Sequence, residues 1–361
     1  MLDGIASAGA KALGGARFSL VNFLPAALVA AFVIFLFASG VYTDAAPRPG
    51  EAISVFRNAG FAVLAVFGVF VLAILLRPFQ AALVHLLEGY WVAWPTRLLA
   101  GAATERHRRI LHTATVIRGA ELRAEDPPDT SLRAAAAHRR AEREIRVIND
   151  RAVGRVERYP ASVFPDREDF GPDEYDNRLM PTLLGNILRD GEDRAGGRYG
   201  LDFTAIAPRL YAALSPKFDA VIRQSLDLLD VMAAMCVSFA VGAAISLPLV
   251  GRWDVWSLVP LVLALLSVFA YRGAIRVATS HGRYLAAAVD LHRFDMIAAL
   301  HYELPADPER ERSFNVRLSE FLNGRNTASR MMRGDPYVHP TDVEPRAEDG
   351  AADEQASSAP S

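Results

Sequence analysis

The chain has one cysteine, Cys236, and two lysines, Lys11 and Lys217. A single thiol excludes a disulfide framework and a thiolate metal cluster, and its place in an apolar run gives it the role of a small buried hydrophobe. Arginine carries nearly all the basic charge and alanine is abundant, a compositional bias of high-GC genomes rather than a chemistry. The formal net charge of -2 excludes a globally basic nucleic-acid binder, although it hides local asymmetry. Also missing are an HExxH helix, a GxSxG elbow, a GxxxxGK(S/T) phosphate loop and a GxGxxG turn after a strand. No catalytic set and no cofactor is therefore expected.

What the sequence has instead is segregation. Hydrophobic residues make up 52% of a chain that also holds 22% charged ones, so the apolar residues must be concentrated in blocks. Residues 231–250 carry no charge, 251–254 form a brief polar break, and 255–271 are again uncharged. About twenty helical residues at roughly 1.5 Å each cross a hydrocarbon core of about 30 Å, so 229–271 reads as a transmembrane hairpin. Trp253 and Trp256 fall at one interface and Tyr271 at the other, where amphipathic rings settle.

The N-terminal part repeats the pattern. Residues 1–17 are a Gly/Ala-rich segment, and 18–43 is too long for a signal-peptide core of about 7 to 15 residues, so it reads as an uncleaved span. A second span over 58–76 completes a first hairpin, 18–76. Over 77–95, Phe79, Ala82, Leu83, Leu86 and Leu87 recur at helical spacing and Tyr90, Trp91 and Trp94 follow. That pattern predicts an amphipathic helix lying along the interface. Arginine then crowds 97–223, whereas the two short connections carry only Arg48, Arg57 and Arg252. By the positive-inside rule the arginine-rich side is cytoplasmic. The expected architecture is all-α: a multi-pass plasma-membrane protein with four spans in two hairpins, a helical cytoplasmic insert, and both termini in the cytoplasm.

The spans hold no charge at mid-depth, where transporters and proton relays place ionisable groups despite an insertion cost of about 2.5 to 3.5 kcal/mol each. Ala240 with Ala244, and Gly242 with Ser246, instead place small residues at four-residue intervals. That spacing fits close helix packing, within the chain or between copies, and equally fits lipid-facing small residues.

The insert, 96–228, opens with a helical pattern over 96–123 and a turn at Asp126-Pro127-Pro128-Asp129. A charged helix over 132–158 follows. The pair reads as a helical hairpin whose thin apolar stripe needs a partner helix, in the manner of a coiled coil. Residues 159–180 read as an acidic loop. Its Asp169-Phe170-Gly171 spells a kinase magnesium motif without the rest of that signature, and its acids lack EF-hand spacing. Ser215 and Pro216 start a helix that continues without a breaker to about Leu247, and a second unbroken rod is expected from Leu261 to Tyr302. Within the cytoplasmic helices of 272–324, a last helix over 308–322 closes at Asn323 and Gly324, and 325–361 is too poor in apolar residues to fold.

Residues 181–202 carry the most character. Leu183, Leu184, Ile187 and Leu188 form one helical stripe, and Gly196 and Gly197 are expected to turn the chain into Arg198-Tyr199-Gly200-Leu201-Asp202. The candidate interaction surface comprises Asn186, Arg189, Asp190, Glu192, Asp193, Arg198, Tyr199 and Asp202. The same residues also suit a salt-bridged corner, which is the reading their charge balance favours. His85 with Glu88, and His292 with Asp295, share helical faces at i, i+3 spacing. Two ligands fall short of the three or four that zinc requires, so local pairing is expected and no metal site.

Three stretches resemble those of a group of uncharacterised bacterial four-span membrane proteins: Leu86-Leu87-Glu88-Gly89-Tyr90-Trp91, Pro181-Thr182-Leu183-Leu184-Gly185-Asn186-Ile187-Leu188-Arg189, and Arg198-Tyr199-Gly200-Leu201-Asp202. The resemblance covers roughly 61–322 and implies two spans, a cytoplasmic insert, two spans and a cytoplasmic tail. It implies no activity and no site residues.

The functional expectation is a non-enzymatic membrane protein that docks or relays to a cytoplasmic protein partner, with the lipid bilayer and a second copy of itself as further partners and no nucleic acid. The alternative is an oligomeric channel or small transporter. A membrane-embedded enzyme would have to use Asp190, Glu192, Asp193 or Asp202.

Overall fold

The computed structural model describes residues 29–43, single positions between 47 and 71, 80–91, 93–121, 158–159 and 179–324. The N-terminal segment 1–17, nearly all of the span at 58–76, the helix 132–158, most of the acidic loop and the tail 325–361 lie outside them. Every element among the described residues is helical, and two helices are long and apolar enough to cross a membrane. The chain divides into two compact units, Met1–Ala195 with Pro216–Ala286, and Gly196–Ser215 with Ala287–Ser361.

In the first unit the organising pair is α5 (Pro216–Ser246) and α6 (Val259–Ala299), joined by two short 3-10 helices, Leu247–Arg252 and Val255–Leu258. Both continue past the expected spans without interruption, as the absence of breakers requires. They run antiparallel: Ser267 Oγ donates to the Cys236 carbonyl at 2.8 Å, and Ser225 Oγ lies 2.7 Å from His281 Nδ1. The Ser225 hydroxyl also donates to the Ile222 carbonyl, so the proton on Nδ1 is assigned to the imidazole. Small residues let the helices close. A Cβ on Gly242 would stand 3.3 Å from Leu263, and one on Gly273 would meet the Met232 sulfur at 2.8 Å. Gly242 and Ser246 are buried, whereas Ala240 and Ala244 are exposed, so only one of the two small-residue rows packs within the chain.

The connection is built from its own polar residues. Trp253 takes the left-handed conformation at φ 54, and Asp254 Oδ1 accepts from the Trp256 amide at 3.0 Å. Arg252 donates to Asp254 Oδ2 at 3.0 Å and to the Val41 carbonyl at 2.8 Å, while the Tyr42 hydroxyl donates to the Ile245 carbonyl. Leu36, Val41 and Leu249 form a small core there, backed by Phe32, Tyr42, Trp256 and Val259. The apolar helix Val29–Ala38 is thereby fastened to the tip of the α5–α6 hairpin.

The helix expected over 77–95 is shorter than that range. α1 (Gln80–Glu88) ends at Gly89, whose φ of +100 reverses the chain, and α2 begins separately at Trp94 and runs to Glu121. Nor does α1 present all its apolar residues outward. Val84 is buried in the main core with Leu184, Ile187, Leu229, Ala233, Ala274 and Ala278, because the alanines of α5 and α6 leave a shallow groove that a valine fills. α3 (Leu183–Gly197) supplies Leu184 and Ile187 to that core, and its Gly191 meets Gly282 of α6 so closely that a Cβ on either would lie 2.8 Å from the other's Cα.

In the second unit α4 (Phe203–Ala213) packs against α7 (Pro308–Leu322). Phe203, Ala205, Ile206 and Leu210 are the buried face of α4, and Phe314, Asn315, Leu318 and Ser319 that of α7. Asp307 caps α7 by accepting from the Arg310 amide, with Pro308 at the first position and Glu309 and Glu311 in the first turn where the dipole favours acids. Gly324, at φ +72, follows Asn323 at its end. α6 stops at Ala299, three residues short of the expected Tyr302. The cause is His301, left-handed at φ 62, which lets the Tyr302 amide donate back to the Ile297 carbonyl.

Candidate interaction surface

The eight candidate residues divide between the two units. Asn186, Arg189, Asp190, Glu192 and Asp193 lie on α3 in the first, and Arg198, Tyr199 and Asp202 lie in the second.

Asn186 is fully buried and works inward. Its Nδ2 donates to the carbonyls of Met180 and Thr182 at 2.9 and 2.8 Å, and its Oδ1 accepts from the Met180 amide at 2.9 Å. One side chain thus satisfies the backbone of the turn entering α3. Beside it two of the resembling stretches meet. Thr182 Oγ1 donates to the Glu88 carbonyl at 2.7 Å and accepts from the Gly185 amide at 3.1 Å. Gly185 has no room for a side chain, because a Cβ would collide with the Glu88 carbonyl, and one on Gly89 would lie 2.9 Å from Pro181. The Tyr271 hydroxyl accepts from the Leu184 amide at 3.3 Å, a contact beyond the interfacial place expected of the ring.

The charged residues of α3 are less deeply placed. Asp190 is buried and bonded to Arg194 at 2.7 Å, an i, i+4 pair. The Arg189 guanidinium lies 5.9 Å from the Tyr90 ring, and Glu192 and Asp193 are half-buried. Further along the same unit, His107 bonds the Tyr159 hydroxyl at 2.9 Å. Burial and the neighbouring Arg106 hold its imidazole below the ordinary value, against a hydrogen bond to the Pro181 backbone.

The second-unit residues form a denser network. α3 ends in a Schellman turn: the Leu201 amide donates to the Gly196 carbonyl, the Gly200 amide to that of Gly197, and Gly200 takes φ +75. The chain therefore turns at Gly200, not at Gly196 and Gly197. Tyr199 donates to Asp290 Oδ1 at 2.7 Å, which raises the phenol above its ordinary value, with burial adding to the effect. Arg198 reaches the other Asp290 oxygen at 3.6 Å while remaining exposed. Arg293 lies 4.1 Å over the Tyr199 ring and 4.0 Å over that of Phe294, and bonds Glu311 at 2.8 Å. Both members of that ion pair are largely shielded.

Asp202 caps α4, accepting from the Thr204 amide at 3.0 Å and hydroxyl at 2.6 Å, and from Asn323 at 2.9 Å. Its burial would raise the carboxyl, but these hydrogen bonds outweigh it and hold the group below the ordinary aspartate value. Its amide donates to Ser319 Oγ, and Asn315 Nδ2 donates to the Tyr199 carbonyl, both from α7. Asn315 Oδ1 is buried with no hydrogen-bond partner among the described residues.

The arrangement is chemically a fastening. Of the four acids that a membrane-embedded enzyme would use, Asp190 is engaged by Arg194 and Asp202 by the start of α4, while Glu192 and Asp193 are half-buried on α3. His85 and Glu88 pair at 3.1 Å, and His292 and Asp295 at 3.2 Å, as their spacing predicts. Among the described residues no three histidine, cysteine or acidic side chains group as metal ligands. Sequence reasoning missed Asp290, Arg293, Glu311, Asn315 and Ser319. Only the i, i+3 spacing of Asp290 and Arg293 was a local signal. Comparisons with family models, curated proteins and solved structures give no match to this chain.

Proposed function

We infer that this chain is a multi-pass integral membrane protein with spans at 18–43, 58–76, 231–250 and 255–271 and both termini on the cytoplasmic side of the plasma membrane. Its role is to dock or relay to a protein partner through its polar helices, without enzymatic chemistry. The observation carrying the reading is the distribution of apolar side chains along α5, α6 and the two 3-10 helices that join them. Val241, Ile245, Val250, Leu258, Leu261, Val262, Leu265, Val268 and Phe269 are exposed, Phe269 by 77%. A water-soluble chain would not leave such a surface uncovered, whereas acyl chains cover it. From 272 to 283 the exposed positions of α6 are Arg272, Arg276, Thr279, Ser280 and Arg283, and farther along Tyr284, Leu291 and Phe294 are exposed as well. Both helices pass from one environment to the other without a break, so a displacement of the polar end is transmitted along the rod.

In-cell crosslinking of the tagged full chain, read by mass spectrometry, tests the docking. Arg189→Glu and Arg198→Glu are the variants of choice, because Asn186 and Asp190 are too deeply built into the fold for their loss to be interpretable. Heteromeric crosslinks lost in these variants, with membrane insertion unchanged, are the expected result. Self-crosslinks alone would overturn docking and direct attention to ion flux in reconstituted vesicles.

A further inference from the structure

We propose that the turn between α1 and α2 and the first turns of α2 form a membrane-inserting edge, in which Leu86, Tyr90, Trp94, Leu98 and Leu99 enter the headgroup–acyl boundary of a phospholipid leaflet and Arg97 binds lipid phosphate. The inference rests on the membrane reading above and adds a contact that the four spans do not include.

Position is the first argument. α1 is held against the stem of the hairpin by Val84, which shares a buried cluster with Leu229 and Ala233 of α5 and with two alanines of α6, Ala274 and Ala278. Those alanines lie three and seven residues past position 271, which is roughly 5 to 10 Å along the helix axis. That is the depth of the headgroup layer beneath the hydrocarbon core. The chain then reverses at Gly89, fixed by the Trp91 indole donating to the Leu86 carbonyl at 2.8 Å and by the edge contact of the His85 and Tyr90 rings. α2 starts five residues farther along the chain, at Trp94.

Composition is the second argument. Trp94 is 79% exposed, Leu98 69% and Leu99 63%, with Tyr90 and Leu86 near half. These are costly side chains to leave in water. They accompany one cation and no acid from Ala93 to Thr104, and the first acid, Glu105, is bonded to Arg108 and Arg109. Aromatic rings with a polar edge beside leucines and an arginine match an interfacial bed, the guanidinium being suited to bidentate phosphate contact. The edge differs from the interfacial helix the sequence predicts, since it uses the start of α2 and spares the buried face of α1.

The test is spin-label depth measurement on the full chain in phosphatidylcholine vesicles. A Cys236→Ala background carries one of Leu98→Cys, Arg106→Cys or Phe269→Cys. Collisions with oxygen should exceed those with a water-soluble nickel complex at 98, more shallowly than at 269, and the order should reverse at 106. A label at 98 as nickel-accessible as that at 106, with 269 deep in lipid, overturns the edge while sparing the spans. A label at 98 shielded from both reagents means protein covers it, and also overturns the proposal. Water exposure at 269 removes the membrane reading itself. A readout independent of cysteine is quenching of tryptophan fluorescence by lipids brominated near the headgroup: Trp94→Phe should lose a measurable share of it, and unchanged quenching counts against insertion.

Discussion

Two joints in this molecule use opposite means. The Glu88–Gly89 turn meets Pro181 and Gly185 by close approach, with glycines where a methyl would collide, and takes one side-chain hydrogen bond, from Thr182 Oγ1. The Arg198–Asp202 segment is instead held to the last helices by side chains: Tyr199 on Asp290, Arg293 on Glu311, Asn315 and Ser319 on the chain itself. The first is a matter of volume and has no gradations. The second is a sum of charged and polar bonds, each removable alone, the charged ones sensitive to pH or salt.

The comparison is sharpest where volume is added. Gly185→Val places a branched side chain against the Glu88 carbonyl, and we expect a loss of about 3 kcal/mol, read as a large fall in thermal midpoint of the purified full chain. A variant that melts with the wild type would break the account of that joint. Asn186→Leu should cost a similar amount, about 3 kcal/mol, because it strands the Met180 carbonyl and amide at once and takes one of two donors from the Thr182 carbonyl, which keeps the backbone amide of residue 186. In the polar joint, Glu311→Ala leaves the shielded Arg293 without its carboxylate. A fall of about 2 kcal/mol is expected there, reduced from the fully buried case because some solvent reaches the pair.

Asp202→Ala should cost about 1 kcal/mol through loss of the cap on α4. Its sign with pH is fixed: the folded carboxyl titrates below its unfolded value, so its stabilisation is complete at neutral pH and fades as pH falls through the folded value. Asp202→Asn should therefore flatten the acid limb of the stability profile, and an unchanged limb would assign that limb to other acids. Arg198→Ala is the smallest expected effect, under about 0.5 kcal/mol and diminishing with salt, since the exposed guanidinium stands 3.6 Å from Asp290.

The legible parts of the fold are those that local pattern determines. The uninterrupted apolar periodicity of 216–247 and 261–302 predicts two rods, and α5 and α6 follow it to within a turn. Pro308 and the Asn323-Gly324 pair bound α7 because a first-turn proline and a left-handed glycine act within a few residues. The break at Gly89 was hidden because Leu83, Leu86 and Leu87 keep helical spacing up to it, and the reversal depends on Pro181, distant in sequence. The candidate surface was legible as a cluster of polar residues but not as employment. Nothing near Asn186 announces that it faces the Met180 and Thr182 carbonyls, and nothing near Tyr199 names Asp290, 91 residues away.

The fastening of Val41 and Tyr42 to the hairpin tip has a consequence for synthesis. Arg252 reaches the Val41 carbonyl across 211 residues of chain, and Tyr42 reaches Ile245 across 203. A ribosome releases the earlier segment long before its partner exists. On the membrane reading, the first helix must wait in the bilayer with its exit turn unmated until the last hairpin inserts beside it. Completion of that contact marks the arrival of the hairpin, and a product truncated before residue 216 would present the turn unmated.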